Sequence, residues 1–489
     1  MAGYGAIVIR GASDLPVYVS IHGEKVRFHD ATTLWGMGSA FTAGRIIREN
    51  ETGAGLRTIM RIGKAGENLV TYSAVTCETY RHFGRLGLGA VFGSKKLKAL
   101  VVAGKRSLPV ADRKLYRRLY DRIYDEATNS AVMKKYHDLG TAENVAPLNA
   151  MSGLPTRNLT ASRFEHAQSI SGEAMAENYL GRRIACSHCP VACIHIAALR
   201  EPCEDEPYFY KTSMISYDYE TLYALGSMLG IGDPEGYLRL VDTIEHSALD
   251  AMTAGVALAW ATEAFEKKLI STAETDGLTL AWGDADTYCE AARRIVSQPT
   301  EFYRLLARGV DAAAEKYGGT DFALTYGRNE MPGYHTGPAS HLGFLVGTRH
   351  SHLDNAGYSL DQKVLVKGLL PPAETARKIV NEEVRRQILS SLVMCFFARG
   401  IYDDDLVRDC LASVGIDRDA EALETIGRRI YAEKYAYKFR EGFSLDRLHI
   451  PKRILETVSP VKDWDEAYLR ATIAEVGKLI DEASATTKA

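Results

Sequence analysis

Three closely spaced cysteines carry the strongest chemical signal in this chain: Cys186-Ser-His-Cys189-Pro-Val-Ala-Cys193. Thiolates spaced C-x2-C-x3-C can ligate three corners of a cubane [4Fe–4S] cluster, with a fourth ligand arriving from elsewhere in the fold. Pro190 stiffens the turn after the second cysteine. Zinc competes, because C-x2-C opens many zinc sites, but zinc wants a second pair at short spacing and His188 and His195 do not supply one. Unligated thiols are the third reading. Proximity alone nominates Cys203 as the fourth ligand, whereas Cys77, Cys289, Cys395 and Cys410 are scattered. In a large chain with no evident secretion signal, that distribution favours metal ligation over a disulfide framework. A second signal is the glycine-rich stretch Gly84-Arg85-Leu-Gly87-Leu-Gly89. Such backbone can approach a phosphate closely, although a plain turn explains it as well.

The elements around these residues suggest an α+β protein. Residues 1–107 read as β-rich, with short β-branched runs at Ala6–Ile9, Val17–Ile21 and Leu100–Val102 between glycine, aspartate and proline punctuation. After Pro109 the pattern turns helical: Leu115, Leu119, Ile123 and Tyr124 fall on one face. Two mainly helical blocks follow, 108–300 with the cysteine motif and 301–489 with a Gly/His-rich loop at 333–358. The second block also holds an apolar helix around Leu389–Phe397, and its last residues, 484–489, look frayed. At 489 residues and 46% hydrophobic the chain can bury several cores. A net charge of −3 and short basic runs give no footprint for nucleic acid or a membrane surface. With no long apolar segment and no signal peptide, the expected location is cytoplasmic.

Several stretches resemble the tungsten-pterin aldehyde:ferredoxin oxidoreductases. The segment Asn178-Tyr-Leu-Gly-Arg-Arg183 leading into the cysteine motif is similar to that family's cluster segment. Gly63-Lys-Ala-Gly66-Glu67-Asn68-Leu69-Val70 and Gly84–Ala99 resemble its G-x-A-G-E-N-L-V and G-R-x-G-L-G-A-V-x-G-S-K-x-L-K-A stretches. Gly140-Thr141, Leu148-Asn149, Leu154–Asn158 and Arg440–Phe443 follow in the same order. The resemblance implies phosphate and pterin contacts from Arg85, Gly87 and Gly89. Two pterin motifs, D-x-x-G-x-D and D-x-x-G-L-C, map onto Glu245-His-Ser-Ala248-Leu-Asp250 and Ser390-Ser-Leu-Val393-Met394-Cys395. They bring Glu245, Asp250 and Met394 into the implied cofactor set, and both motifs have lost their glycine. The resemblance also selects Cys395, rather than Cys203, to join Cys186, Cys189 and Cys193 as cluster ligands.

The family's catalytic glutamate and histidine map onto Glu220, in Asp218-Tyr-Glu220-Thr, and His352, in Arg349-His-Ser-His352-Leu-Asp354. A buried glutamate of raised pKa could take a proton, and a histidine could bond a substrate carbonyl oxygen. Without the resemblance, Glu220 capping a turn and the histidines bridging loops would suffice. The implied reaction oxidises an aldehyde to a carboxylate at tungsten (or molybdenum) held by two pyranopterins. The electrons would leave through a [4Fe–4S] cluster to a ferredoxin-like acceptor. Aromatic acyl-CoA reduction and a non-catalytic electron-relay subunit are the alternatives. The resemblance covers the first domain only from mid-sheet onward, so the expectation is that the remaining N-terminal half comes from a separate polypeptide or was lost through a truncated gene model, with a sticky edge at residues 5–21.

Overall fold

In the computed structural model, which describes residues 2–203 and 206–488, the chain is α+β and forms two compact units. One takes residues up to Leu108, then Ile196–Tyr217 and Ala224–Ala323; the other takes Pro109–His195, Asp218–Tyr223 and Leu324 onward. The three blocks expected from composition are contiguous in sequence, whereas these units interleave because the chain crosses between them repeatedly.

The first unit is built on a six-stranded sheet: β1 (Val17–His22), β2 (Lys25–Asp30), β3 (Arg57–Ile62), β4 (Val75–Cys77), β5 (Arg81–His82) and β6 (Leu97–Ala103), in the order β2-β1-β6-β3-β4-β5. Only β1 and β6 pair in parallel. Alternation places Tyr18, Ile59, Ala99 and Val101 on one face, packed against Leu34 and Ile47, and Val19, Ile21 and Leu100 on the other, with Phe92; Leu97 joins this second face because the register between β1 and β6 shifts at Lys98. Burial on both faces explains why β6 reads as a nearly unbroken apolar run. Ala6–Ile9 is not a strand: it is exposed and pairs with nothing in the sheet. Nor is β1 an edge; β2 is, and it exposes Val26 and Phe28.

Two of the resembling stretches meet here. Lys98 on β6 forms an ion pair with Glu67, both side chains fully buried, and the second oxygen of Glu67 accepts the Gly36 N–H at 2.7 Å. Removing one partner of such a pair strands a buried charge, so Lys98→Ala should cost about 3–5 kcal/mol. Thermal melts should show it, and a shift within error of wild type would refute the account.

In the second unit, the helix Arg113–Asn129 starts from an Asp112 cap and turns Leu115, Leu119, Ile123 and Ala127 inward. Tyr124, expected on that face, is instead exposed and stacked on Tyr120. The apolar helix expected around Leu389–Phe397 ends early: helix Pro372–Ser391 stops, and Val393 takes a left-handed φ of 58°. The C-terminal helix Glu466–Lys488 continues through most of the segment expected to fray, while Ala489 lies outside the described residues.

Candidate active site and cysteine cluster

In the first unit the structure joins two residues chosen from motifs 165 positions apart. Arg85 Nε donates to Asp250 Oδ2 at 2.7 Å, and its NH2 group donates to Thr253 Oγ1 at 2.8 Å. Asp250 caps the helix Ala251–Glu266 by accepting the Met252 N–H, so its carboxylate is fixed from both sides. Glu245 pairs with His82 at 3.1 Å. Burial pulls the His82 pKa down, and the Glu245 carboxylate overcomes that and raises it. Nothing in the sequence singled out His82.

Gly87 has φ 77°, and a Cβ there would lie 1.9 Å from the Thr71 carbonyl oxygen. Gly89 donates its N–H to Ser73 O at 3.0 Å, so that donor is already engaged within the protein. These glycines let the turn pack on the strand-to-strand connection at 71–74, as the plain-turn reading requires; the Arg85 guanidinium is the polar group they present beside Asp250. Ala248 stands where the motif has glycine, and it keeps glycine's backbone, with φ 57° at the end of helix Pro234–Ser247. Val393 does the same at φ 58° in the second motif. Both substitutions therefore preserve the local path, at a cost of roughly 1–2 kcal/mol each for a side chain in the left-handed region.

The catalytic pair expected from the resemblance lies in the second unit. Glu220, in the first turn of helix Tyr219–Leu225, and His352, at the start of helix His352–Asn355, come together across 132 residues, with Nε2 3.2 Å from Glu220 Oε1. Tyr334 donates its hydroxyl to the same oxygen at 3.2 Å and stacks on Tyr358 with ring centres 4.4 Å apart. His352 is buried, and its Nδ1 has no hydrogen-bond partner among the described residues. The turn-capping role belongs to Asp218, which accepts the Thr221 N–H, and not to Glu220. His350 ties its loop to two helices and not to another loop, through Phe344 O of Pro338–Val346 and Lys438 Nζ of Ala420–Arg440. Asp354 ties the His352 loop by accepting from Arg349 and from the Ser351 N–H, and Glu383 accepts from Thr348 N–H and Asn355 Nδ2. Burial, then the Asp354 charge, pushes Glu383 up to about 7.

The expected raised pKa of Glu220 is reversed. Burial pushes it up, but the hydrogen bond and positive potential of His352, with the Tyr334 hydroxyl, outweigh burial and hold the carboxyl below its usual range. Glu220 is thus an ionised acceptor. His352 Nε2 is the group that faces this carboxylate, and the buried Nδ1 on the other side of the ring has no hydrogen-bond partner among the described residues.

The cysteine motif follows strand Leu180–Ile184. Cys186 is exposed, Cys189 N–H turns back onto Cys186 O at 3.1 Å, and Cys189 and Cys193 pack with Val191, Leu119 and Ile401. His137 Nδ1 to Val191 O at 2.8 Å and His195 Nδ1 to Cys193 O at 3.1 Å hold the loop. Cys395 emerges exposed from the turn after Val393, and the Tyr402 hydroxyl, raised first by burial, is further raised by Cys395, Cys410 and Cys189 around it. The structure therefore gathers Cys395 and Cys189 about one tyrosine. It adds Cys410, which no motif or spacing singled out. Cys203, at the end of strand Ile194–Cys203, belongs to the other unit. Met394 packs with Leu389, Val407 and Leu423, so its side chain is committed to the core. Among the described residues no three His, Cys, Asp or Glu side chains stand close enough to hold a metal ion. The soft thiol set nevertheless suits an iron–sulfur cluster in kind, and the bare Nδ1 of His352 suits a polar reacting group.

The profile of the aldehyde ferredoxin oxidoreductase N-terminal domain matches residues 1–104, and that of domains 2 and 3 matches 118–481. The chain belongs to the aldehyde ferredoxin oxidoreductase family. It is 32% identical over 475 residues to the tungsten-containing aldehyde ferredoxin oxidoreductase of Thermococcus kodakarensis and 31% identical to that of Pyrococcus furiosus. Each alignment covers 94% of this chain and 76% of the relative. An aliphatic sulfonate oxidoreductase, WOR-like subunit, of Pyrococcus furiosus is 31% identical over 64% of this chain and 51% of its own length. The active site complex BamBC of benzoyl coenzyme A reductase, solved with 1,5-dienoyl-CoA, shares the fold at TM-score 0.77 and 19% identity, covering 98% of this chain and 81% of that one. The protein is an oxidoreductase. No helix among the described residues is long and apolar enough to cross a membrane.

Proposed function

We propose that this chain oxidises an aldehyde to its carboxylate, with water as the oxygen source: RCHO + H2O gives RCOO⁻, three protons and two electrons. The observation that carries the reading is the Glu220–His352 pair with its free, buried Nδ1. The three-way likeness to tungsten-containing aldehyde oxidoreductases supports it. A tungsten (or molybdenum) bis-pyranopterin, when bound, supplies the two-electron redox chemistry. Arg85, as hydrogen-bond donor, and Asp250, as acceptor, are the side chains that would hold its polar groups, with Glu245 paired to His82 nearby in sequence. Gly87 would contribute through its backbone, whereas the N–H groups of Gly89 and Met394 are already taken by Ser73 O and Leu389 O. Cys186, Cys189, Cys193 and Cys395 would hold the [4Fe–4S] cluster that passes electrons singly to a ferredoxin-like acceptor.

The chain's own part is proton handling. His352 Nδ1 accepts a proton as water adds to the carbonyl, and the Glu220 carboxylate stabilises the imidazolium that results. The Tyr334 hydroxyl keeps Glu220 oriented, and the Tyr334–Tyr358 stack walls the site with aromatic surface. The shared fold of the benzoyl coenzyme A reductase complex favours aromatic acyl-CoA reduction as a second reading. Metal and pterin analysis of anaerobically purified protein, followed by aldehyde-dependent reduction of a viologen dye, tests both. Tungsten or molybdenum, iron and dye reduction are expected together. Iron alone without turnover would indicate a relay subunit, zinc alone would remove the redox reading, and thioester-dependent but not aldehyde-dependent turnover would favour the second.

A further inference from the structure

The helix Arg113–Asn129 carries two stripes. The inward one, Leu115, Leu119, Ile123 and Ala127, packs on the region of Cys189 and Cys193. The outward one repeats at the same helical spacing: Arg113, Tyr116, Arg117, Tyr120 and Tyr124 occupy positions i, i+3, i+4, i+7 and i+11. All five are exposed. Tyr116, Tyr120 and Tyr124 are 41%, 52% and 49% accessible, and Tyr120 and Tyr124 stack at 6.1 Å. Three tyrosines in a row on a solvent-facing helix do nothing for the core, and tyrosine with arginine is the composition of a binding hot spot.

The charge on this stripe has a sign. Arg113 and Arg117 lie on it, Lys114 and Arg118 flank it, and between 113 and 120 the helix has no acidic residue. Arg117 leans on Asp121 at 2.9 Å and Arg122 on Glu126 at 2.8 Å, whereas Arg113, Lys114 and Arg118 have no ion pair among the described residues. The helix also packs in the apolar cluster that holds Cys189 and Cys193, and each tyrosine follows a residue of the inward stripe by one position, so a protein seated on the tyrosines would lie about a quarter turn round the helix from the cysteine-facing stripe.

We propose that this face docks an acidic, one-electron carrier protein. The inference rests on the proposed redox role and names where the electrons leave: the tyrosines supply rigid contact area, and the arginines and Lys114 steer a negatively charged partner to the exposed helix face that borders the stripe packed toward Cys189 and Cys193.

The test uses the full-length holoprotein with an acidic bacterial-type ferredoxin as probe, its binding followed by calorimetry at low and moderate salt. Wild type should bind in a salt-sensitive way. Arg113→Glu/Arg117→Glu and, separately, Tyr120→Ala should each weaken binding by about tenfold or more, and Arg113→Lys/Arg117→Lys should restore it, while aldehyde-dependent viologen reduction stays unchanged. Binding by the charge-reversed variant within about twofold of wild type would overturn the proposal. So would salt-insensitive or absent binding by wild type, or self-association that Tyr120→Ala dissolves. Absent viologen turnover in a wild type whose ferredoxin binding still responds to these variants would instead reject the aldehyde reading and leave the docking face standing.

Discussion

On the proposed aldehyde reaction, Glu220→Gln should lower turnover by roughly 10²–10⁴ while iron and any tungsten or molybdenum stay at wild-type values. The substitution keeps the volume and lets Tyr334 go on donating, so the fold has little reason to change. What disappears is the negative charge 3.2 Å from His352 Nε2. Without it the imidazolium formed when Nδ1 takes a proton has no counter-charge in a buried setting. His352→Ala should be at least as damaging, and the double variant should be little worse than either single one, because the two act as a unit. Effects that multiply in the double variant would show that the groups work independently and would reject the coupled pair.

The lowered pKa of Glu220 also fixes the direction of the pH response. A carboxyl whose folded-state value lies below its unfolded one contributes stability that is fully present above the ordinary carboxylate range and is lost as pH falls through the lowered value. The acid limb that belongs to the carboxyl should accordingly lie below that range, and Glu220→Gln should remove it. An unchanged profile in the variant would assign the limb to another group.

Parts of this were legible in the sequence, for identifiable reasons. The C-x2-C-x3-C spacing is local, so the motif announces itself. Leu115, Leu119 and Ile123 obey a helical period and did turn inward, whereas Tyr124 fits the period loosely and has a hydroxyl that prefers water. Ala6–Ile9 has strand composition, but a strand exists only when a neighbour completes its ladder, and no neighbour does. Glu220 and His352 emerged only through the resemblance, because a lone acid and a lone histidine 132 residues apart carry no spacing signal. Tyr334, Tyr358 and Tyr402 were missed for a similar reason: their roles come from stacking and from hydrogen bonds made across the fold. The lost glycines at Ala248 and Val393 looked like damage to the pterin motifs, yet the left-handed backbone survives at both.

Cys395→Ser should strip the protein of most of its iron and of its broad cysteinate-to-iron absorption, whereas Cys203→Ser should leave both intact. The position tolerates serine: Cys395 is exposed, precedes the short turn Phe396–Ala398 and makes no side-chain capping bond, so serine brings no clash and adds a possible cap. Loss of iron would then report ligation and not unfolding, which an unchanged circular dichroism spectrum and melting profile would confirm. Cys410→Ser supplies the decisive contrast, since Cys410 shares Tyr402 as a neighbour with Cys395 and Cys189 but sits within helix Asp404–Ser413, partly buried and with its thiol pKa raised by burial. A thiol held in its protonated form by apolar surroundings is a poorer metal ligand than an exposed one. Cys410→Ser should therefore retain iron and shift only the cluster's surroundings. Iron lost from Cys410→Ser and kept in Cys395→Ser would move the fourth ligand to the helix, and with it the direction from which electrons approach the cluster.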